Sequence, residues 1–170
     1  QPLCLETIKG CKQQEFQEKV GDVILNRRIH SFGDIIRWIN TERPDIVGLS
    51  VFFGQSALTD KIINAVSGIY KDYKPLIVLG NNISTYNTVL LLNKYPDVVV
   101  VKGEGEQAMS GLVKFMRGEC FLQDVPNAAF RKETGEIVET EIVPMDLACL
   151  GTPSRDLLPR VMNSGGVAFL

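Results

Sequence analysis

Pro96-Asp-Val-Val-Val-Val-Lys102 is the stretch of sequence that decides the fold. Four consecutive valines with no polar residue alternating among them predict a strand buried on both faces, as in a parallel sheet. Asp45-Ile-Val-Gly-Leu-Ser-Val51 and Pro75-Leu-Ile-Val-Leu-Gly80 repeat the pattern, and Asp22-Val-Ile-Leu-Asn26 is a weaker example. These short apolar runs predict the strands of one sheet.

Segments with helical spacing lie between the apolar runs. They are Gly33–Glu42, Leu58–Tyr70, Thr85–Lys94 and Glu106–Arg117. The pattern assigns Leu58, Val89, Leu90 and Leu92 to inner faces, and Ser84 and Gly118 are expected to begin and end helices. Strands that alternate with helices over short connections predict an α/β fold, a doubly wound parallel sheet of the flavodoxin-like or Rossmann-like type with right-handed crossovers.

The pattern changes after Gly118. Asn127–Lys132 and Glu136–Ile142 flank Glu133-Thr-Gly135, which predicts a β-hairpin with glycine in its turn. A stretch punctuated by proline follows and is expected to be extended. We therefore predict an α/β domain over residues 1–118, with a C-terminal hairpin appendage and a linker over residues 119–170.

Composition excludes several classes of protein. The formal net charge is −2, which gives no general attraction to nucleic acid or to an anionic membrane. No apolar run approaches the roughly 20 residues that span a bilayer, and no secretory signal is present. The four cysteines, Cys4, Cys11, Cys120 and Cys149, form no CxxC pair, so we expect reduced thiols, no cysteine-bound metal and a cytoplasmic location.

Three loops follow predicted strands and therefore meet at one edge of the sheet, where open parallel sheets bind ligands. We call this edge the strand-end row. The first loop has a hydroxyl, two aromatic rings and a glycine, and it fits either a flat apolar ligand or a strand end whose rings join the core. Its residues are Ser50, Val51, Phe52, Phe53, Gly54 and Gln55.

The second and third loops are richer in glycine. In the second loop, Gly80, Asn81 and Asn82, the amides can bond a ligand or hold their own turn. The third loop precedes a helix, and its two carboxylates favour ribose hydroxyls or amides over phosphate, although they also suit the helix dipole. Its residues are Gly103, Glu104, Gly105 and Glu106.

The sequence predicts no catalytic residue and no metal site within this chain. The dinucleotide fingerprint GxGxxG and the Walker A loop are both absent. His30 is the only histidine, and nothing beside it suggests a nucleophile and its base, so we interpret it as an ordinary surface or capping residue.

Taken in order, these segments resemble the amino-terminal half of cobalamin-binding radical SAM enzymes. Tyr95–Glu106 is similar to the family segment YPDVVVxGEGE, and Arg43–Ser50 is similar to KPDVVGIS. Further similarities are Pro2–Leu5 to PLGL, Leu76–Gly80 to the next strand, Val125–Arg131 to VPGxxYR, Pro153–Pro159 to DRDLLP, and Gly165–Leu170 to the strand that opens the radical SAM barrel. The resemblance spans almost the whole chain.

The resemblance implies a cobalamin at the strand-end row. The first loop would border the corrin or its nucleotide tail, and the second and third loops would close around the tail. The CxxxCxxC motif of the family is expected just past Leu170, so the 4Fe-4S cluster and SAM belong to the rest of a parent enzyme, and this chain alone should not cleave SAM. The parent would be a methyltransferase or a cyclase-type oxidoreductase.

The sequence departs from the family pattern in two places near the row. Gly80-Asn81 stands where cobalamin domains often have two glycines, which narrows the path of the tail. The axial-histidine signature DxHxxG is not intact, because Arg28 replaces its aspartate in Arg28-Ile-His-Ser-Phe-Gly33. We therefore expect no histidine ligand on cobalt.

Two other classes of function stay open. One is a ligand-free structural domain that docks on the radical SAM barrel, and the other is an unrelated flavodoxin-like binder of a small molecule. The chain starts at Gln1 and ends directly after Val167–Leu170, so we expect a piece of a longer protein. No strand precedes the predicted first helix, Pro2–Phe16, and Val167–Leu170 can fill that gap within one chain or between the two chains of a homodimer.

Overall fold

One mixed sheet organises the part of the chain that the structure describes. The structure is a computed structural model, and it describes residues 32–52, 54, 56–69 and 73–146. The strands are β1 (Ile46–Ser50), β2 (Leu76–Gly80), β3 (Val98–Val101), β4 (Ala128–Arg131) and β5 (Ile137–Glu139). The helices are α1 (Phe32–Glu42), α2 (Ser56–Ile69), α3 (Asn82–Tyr86), α4 (Thr88–Lys94), α5 (Glu106–Met116) and a 3-10 helix (Leu122–Asp124).

The strands lie side by side in chain order. β1, β2 and β3 are parallel, with Ser50 beside Gly80 and Leu79 beside Val100. β4 and β5 continue the sheet antiparallel to their neighbours, with Val101 beside Ala128. The predicted α/β fold is confirmed, and the predicted hairpin is now seen to extend the sheet. Among the described strands the order does not reverse.

The core lies on both faces of the sheet. Helices α1, α2 and α4 cover one face, where Ile39, Val66 and Leu92 pack against Leu79 and Val100. Helix α5 covers the other face, where its buried residues Ala108 and Leu112 pack among Val99, Ala128 and Val125. The four valines of β3 are all buried, as expected for a strand with a layer on each side. The sheet is therefore covered by helices on both faces.

The segment Thr85–Lys94 differs from its prediction. It forms two short helices that are interrupted at Asn87, whose φ is −121°. The interruption shifts the helical phase, so Leu91 and Leu92 are buried while Val89 and Leu90 are exposed, and the assignment of Val89 and Leu90 to the inner face was wrong. Ser84 is not a cap either, because it is buried inside α3 and donates a hydrogen bond to the Gly80 carbonyl at 2.9 Å.

Of two other predictions about helices, one was wrong and one is confirmed. Leu58 lies in the first turn of α2 with 40% of its surface exposed, so its place on the inner stripe was wrong. Helix α5 ends at Met116, and Gly118 follows as the expected stop with a φ of +73°. The amide of Glu119 bonds back to the Lys114 carbonyl at 2.9 Å and closes the last turn.

Several predictions lie outside the described residues. They concern the strand at Asp22–Asn26, the helix at Pro2–Phe16, His30 and Val167–Leu170. The chain divides into two units, residues 30–145 and residues 1–29 with 146–170, and every element described above belongs to the first unit. The domain boundary between residues 118 and 119 stays a prediction.

Gly111 in α5 permits close packing against the fully buried Val125. A β-carbon at Gly111 would lie 2.9 Å from Val125 Cγ1. We expect Gly111→Val to lower the free energy of unfolding by about 1–2 kcal/mol, because overpacking exceeds the gain in helix propensity. Urea unfolding measures the change. Gly68→Val in α2 is the control, because nothing lies within 4 Å of a β-carbon there, and equal stability of the two variants would contradict the expectation.

Candidate functional site

The carboxyl ends of β1 and β2 place the first two loops side by side. Ser50 and Gly80 are register partners, and each is the last residue of its strand. The ladder runs one residue further, because the amide of Val51 donates to the Gly80 carbonyl at 3.0 Å. The predicted neighbourhood of the first and second loops is therefore present in the structure.

The first loop divides between core and surface. Val51 is 4% exposed and belongs to the core, while Phe52 is half-buried. Gly54 is exposed with a φ of +82°, which glycine adopts readily. Phe53 and Gln55 lie outside the described residues, so their assignment to the site stays a prediction. Ser50 and Gly54 are the described positions of this loop that remain open to a ligand.

Asn81 ties the second loop to the first. Its backbone has a φ of +85°, a conformation that asparagine tolerates better than most residues. Its Nδ2 donates to Ser50 Oγ at 3.0 Å, and its Oδ1 accepts from the amide of Asn82, the exposed first residue of α3. The side chain of Asn81 therefore holds its own turn and the neighbouring loop, which is one of the two roles that the sequence left open.

Thr85 ties the second loop to the third and was missed as a site residue. Its Oγ1 accepts a hydrogen bond from the amide of Gly103 at 3.0 Å, and its own amide donates to the Asn81 carbonyl at 3.1 Å. Gly103 has a φ of +66°. In the sequence, the one sign that Thr85 could belong to the site is its hydroxyl group about one helical turn after a strand end. Its partner Gly103 comes within reach only because α3 packs beside β3.

The two carboxylates of the third loop have different surroundings. Glu104 is exposed, and its Oε2 accepts a hydrogen bond from the amide of Met145 at 2.5 Å. Glu106 is the first residue of α5, and its Oε2 is buried with no hydrogen-bond partner. A buried carboxylate oxygen without a partner is costly, and Glu106 therefore keeps an acceptor that no group of the described protein uses.

Glycine gives the row room beside its backbone. A β-carbon placed at Gly54, Gly80, Gly103 or Gly105 would meet no atom within 4 Å. A side chain at any of these four positions would occupy the open space beside the backbone. The four positions together allow a ligand to approach the backbone of all three loops, as glycine does where a group must come close to the chain.

The described residues contain no competing metal or membrane feature. Residues 32–146, as far as they are described, hold no group of three or more His, Cys, Asp and Glu side chains that could bind a metal ion. No helix in the same part is both long enough and apolar enough to cross a membrane. Cys120, a free thiol in this part, is half-buried, and its sulfur lies 3.6 Å from the Gly111 carbonyl oxygen.

Comparison with known proteins identifies relatives of this chain and solved structures with the same fold. No protein-family model matches the chain. A curated relative, 4'-phospho-dehydrooxetanocin synthase of Priestia megaterium, is 27% identical over 143 residues, which are 82% of this chain and 19% of that protein. OxsB, a cobalamin-dependent radical SAM enzyme solved with aqua-cobalamin and S-adenosylmethionine bound, matches 97% of this chain with a TM-score of 0.84 and 26% identity.

The chain is a B12-binding-like domain. The resemblance found in the sequence is thereby confirmed at the level of fold and relatedness. This B12-binding-like domain spans about a fifth of its curated relative and 23% of OxsB. TsrM of Kitasatospora setae, a radical SAM methyltransferase solved with cobalamin and a [4Fe-4S] cluster, shares the fold with a TM-score of 0.63 at 18% identity, over 92% of this chain and 29% of TsrM.

Proposed function

We propose that the chain is the cobalamin-binding module of a B12-dependent radical SAM enzyme and is not catalytic by itself. The observation that carries the proposal is the match to OxsB, which was solved with aqua-cobalamin bound and covers nearly all of this chain. The open row of strand ends supports it, because open α/β sheets bind their ligands at that edge.

The residues of the row suit the chemistry of a corrin. Gly54, Gly80 and Gly103 leave space against the backbone. Cobalamin carries amide side chains around its ring and ribose hydroxyls in its tail, and both are hydrogen-bond donors. Glu106 has a buried oxygen that lacks a donor, and Ser50 has a hydroxyl at a strand end. The row therefore fits the amides and hydroxyls of this cofactor.

Bound cobalamin supplies a cobalt centre that can carry a methyl group or an electron. The residues of this chain would hold and orient the cofactor. The bonds between Asn81 and Ser50 and between Thr85 and Gly103 would hold these residues of the three loops together before any ligand arrives. Preorganisation of this kind reduces the entropy that binding would otherwise remove.

The reaction belongs to a longer parent protein in this proposal. A radical SAM barrel in the same parent would bind the 4Fe-4S cluster and SAM, and the reaction would be of methyltransferase or cyclase type. Residues 1–118 would form the cobalamin-binding part, and residues 119–170 would lead towards the barrel. We place the parent protein in the cytoplasm.

Retention of hydroxocobalamin tests the module directly. The purified chain is mixed with hydroxocobalamin and passed through a desalting filter. We expect about one corrin to stay bound per protein chain, because we expect a dissociation constant on the order of micromolar. A thermal-shift screen should show stabilisation by corrins and none by flavins or nucleotides, because a ligand of the native state raises stability by mass action. Corrin-free protein after filtration would reject the proposal.

A ligand-free docking domain is the second candidate. The pair Gly80-Asn81 favours it, because cobalamin domains often have two glycines at this place and the side chain of Asn81 takes up space beside Gly80. In this case the radical SAM part of the parent, expressed separately, would capture the chain equally well with and without cobalamin. Capture that needs cobalamin would favour the cobalamin-binding module.

A further inference from the structure

Asn127 is a buried polar residue beside the strand-end row. From the sequence, Asn127 is predicted as the first residue of the hairpin, with no further role. It is 1% exposed, and its φ of +58° lies in the left-handed region, which asparagine adopts more readily than most residues. A polar side chain this deeply buried needs hydrogen bonds, and its partners show what it holds together.

The side chain of Asn127 joins two segments that are far apart in the chain. Its Nδ2 donates to the Glu104 carbonyl and to the Val143 carbonyl, both at 3.1 Å. Its Oδ1 accepts from the amide of Val143 at 2.6 Å. Its backbone also bonds to Lys102 and Glu141. The buried amide group thus has partners for both protons and for its oxygen.

A strap, residues 141–145, completes this connection. The amide of Met145 donates to Glu104 Oε2, and Gln107 Nε2 lies 3.4 Å from the Met145 sulfur. The third loop is therefore held at two points, by Thr85 on Gly103 and by Asn127 with the strap on Glu104. Without the second point, the backbone of Glu104 would lose its tie to the hairpin.

We propose that Asn127 is a positioning residue that sets the third loop for the corrin by clamping Glu104 to the strap. The proposal rests on the proposed function for its cofactor, but the clamp itself is a property of the free protein. Asn127 acts through Gly103–Glu106 and has no contact with the cofactor in this proposal. The strap thereby joins the third loop to the start of the hairpin at Asn127.

The chain offers a substitution that isolates the side chain. Asn127→Gly keeps the left-handed backbone, which glycine adopts without strain, and removes only the side-chain bonds. Asn127→Asp also keeps the backbone but turns an oxygen towards the two carbonyls that accepted from Nδ2. Thr140→Val is the matched control, because Thr140 Oγ1 bonds only to the backbone of Ala128, in the same hairpin.

Two measurements on the whole chain test the clamp. In hydrogen exchange, we expect the amides of Val143 and Met145 to exchange at least about tenfold faster in Asn127→Gly than in the native protein. We expect hydroxocobalamin affinity, measured by equilibrium filtration, to fall about tenfold in Asn127→Gly and in Asn127→Asp. In Thr140→Val, the affinity and the exchange at Met145 should stay at their native values.

The outcomes separate the clamp from the proposed function. Native affinity in a folded Asn127→Gly protein, or an equal loss of affinity in Thr140→Val, would overturn the positioning role. If Asn127→Gly does not fold, Asn127→Asp decides by the same comparison. If the native chain binds no corrin, the proposed function fails, and the exchange rate at Met145 then decides on its own whether Asn127 clamps the third loop.

Discussion

Gly80→Val is expected to reduce retention of hydroxocobalamin at least about a hundredfold while it leaves the fold intact. Gly80 is the last residue of β2 and lies beside Ser50 in the register. A β-carbon there meets no atom of the protein within 4 Å, and valine is a favoured residue in strands. The added side chain therefore enters the space that the proposed cofactor would use.

The control for Gly80→Val is Gly68→Val in α2, where a β-carbon also meets no atom within 4 Å. We expect both variants to melt within about 3 °C of the native chain, because substitutions into open space change stability little. Equilibrium filtration with hydroxocobalamin should then separate them, with native retention in Gly68→Val. Native retention in Gly80→Val would remove the second loop from the site.

Glu139→Leu is expected to lower the free energy of unfolding by about 2 kcal/mol, because it leaves a buried ammonium without its partner. Lys102 follows β3 with its side chain 7% exposed, and its Nζ lies 2.7 Å from Glu139 Oε2 on β5. Glu139 is 44% exposed, so water can solvate its carboxylate when the lysine is absent. Lys102→Met should therefore cost less than about 1 kcal/mol.

The difference in stability between Glu139→Leu and Lys102→Met tests this account of the ion pair. Urea unfolding of Glu139→Leu, Lys102→Met and the double variant gives the three free energies. The double variant should be more stable than Glu139→Leu alone, because no buried charge remains in it. Glu139→Gln keeps an oxygen acceptor for the ammonium and should lie between the native chain and Glu139→Leu. A Lys102→Met protein less stable than Glu139→Leu would contradict the account.

The sheet and the position of the strand-end row follow from local sequence. The valine run of β3 and the matching runs of β1 and β2 need a covering layer on both faces, and a parallel sheet between two layers of helices meets that requirement. Parallel strands bring their carboxyl ends to one edge, so Ser50, Gly80 and Gly103 were predicted as neighbours without any knowledge of contacts.

Helical phase was less predictable, because it depends on a single residue. Apolar spacing assigned Val89 and Leu90 inward, yet the interruption at Asn87 turns Leu91 inward and leaves Val89 and Leu90 exposed. A change of one residue in phase rotates every following side chain by about 100°. Four consecutive apolar residues, Val89 to Leu92, fit more than one phase, so the pattern could not choose between them.

The roles of individual polar residues came from the tertiary structure alone. The strand-end row was visible in the sequence as three loops, but Thr85 finds Gly103 18 residues away, and Asn127 joins Glu104 to Val143 across 23 and 16 residues. Local sequence carries the propensity of each segment and the period of its apolar residues. A hydrogen bond between distant segments forms only after the sheet has packed, so the fold alone decided that Glu104 is held by the strap while Glu106 keeps a buried oxygen without a partner.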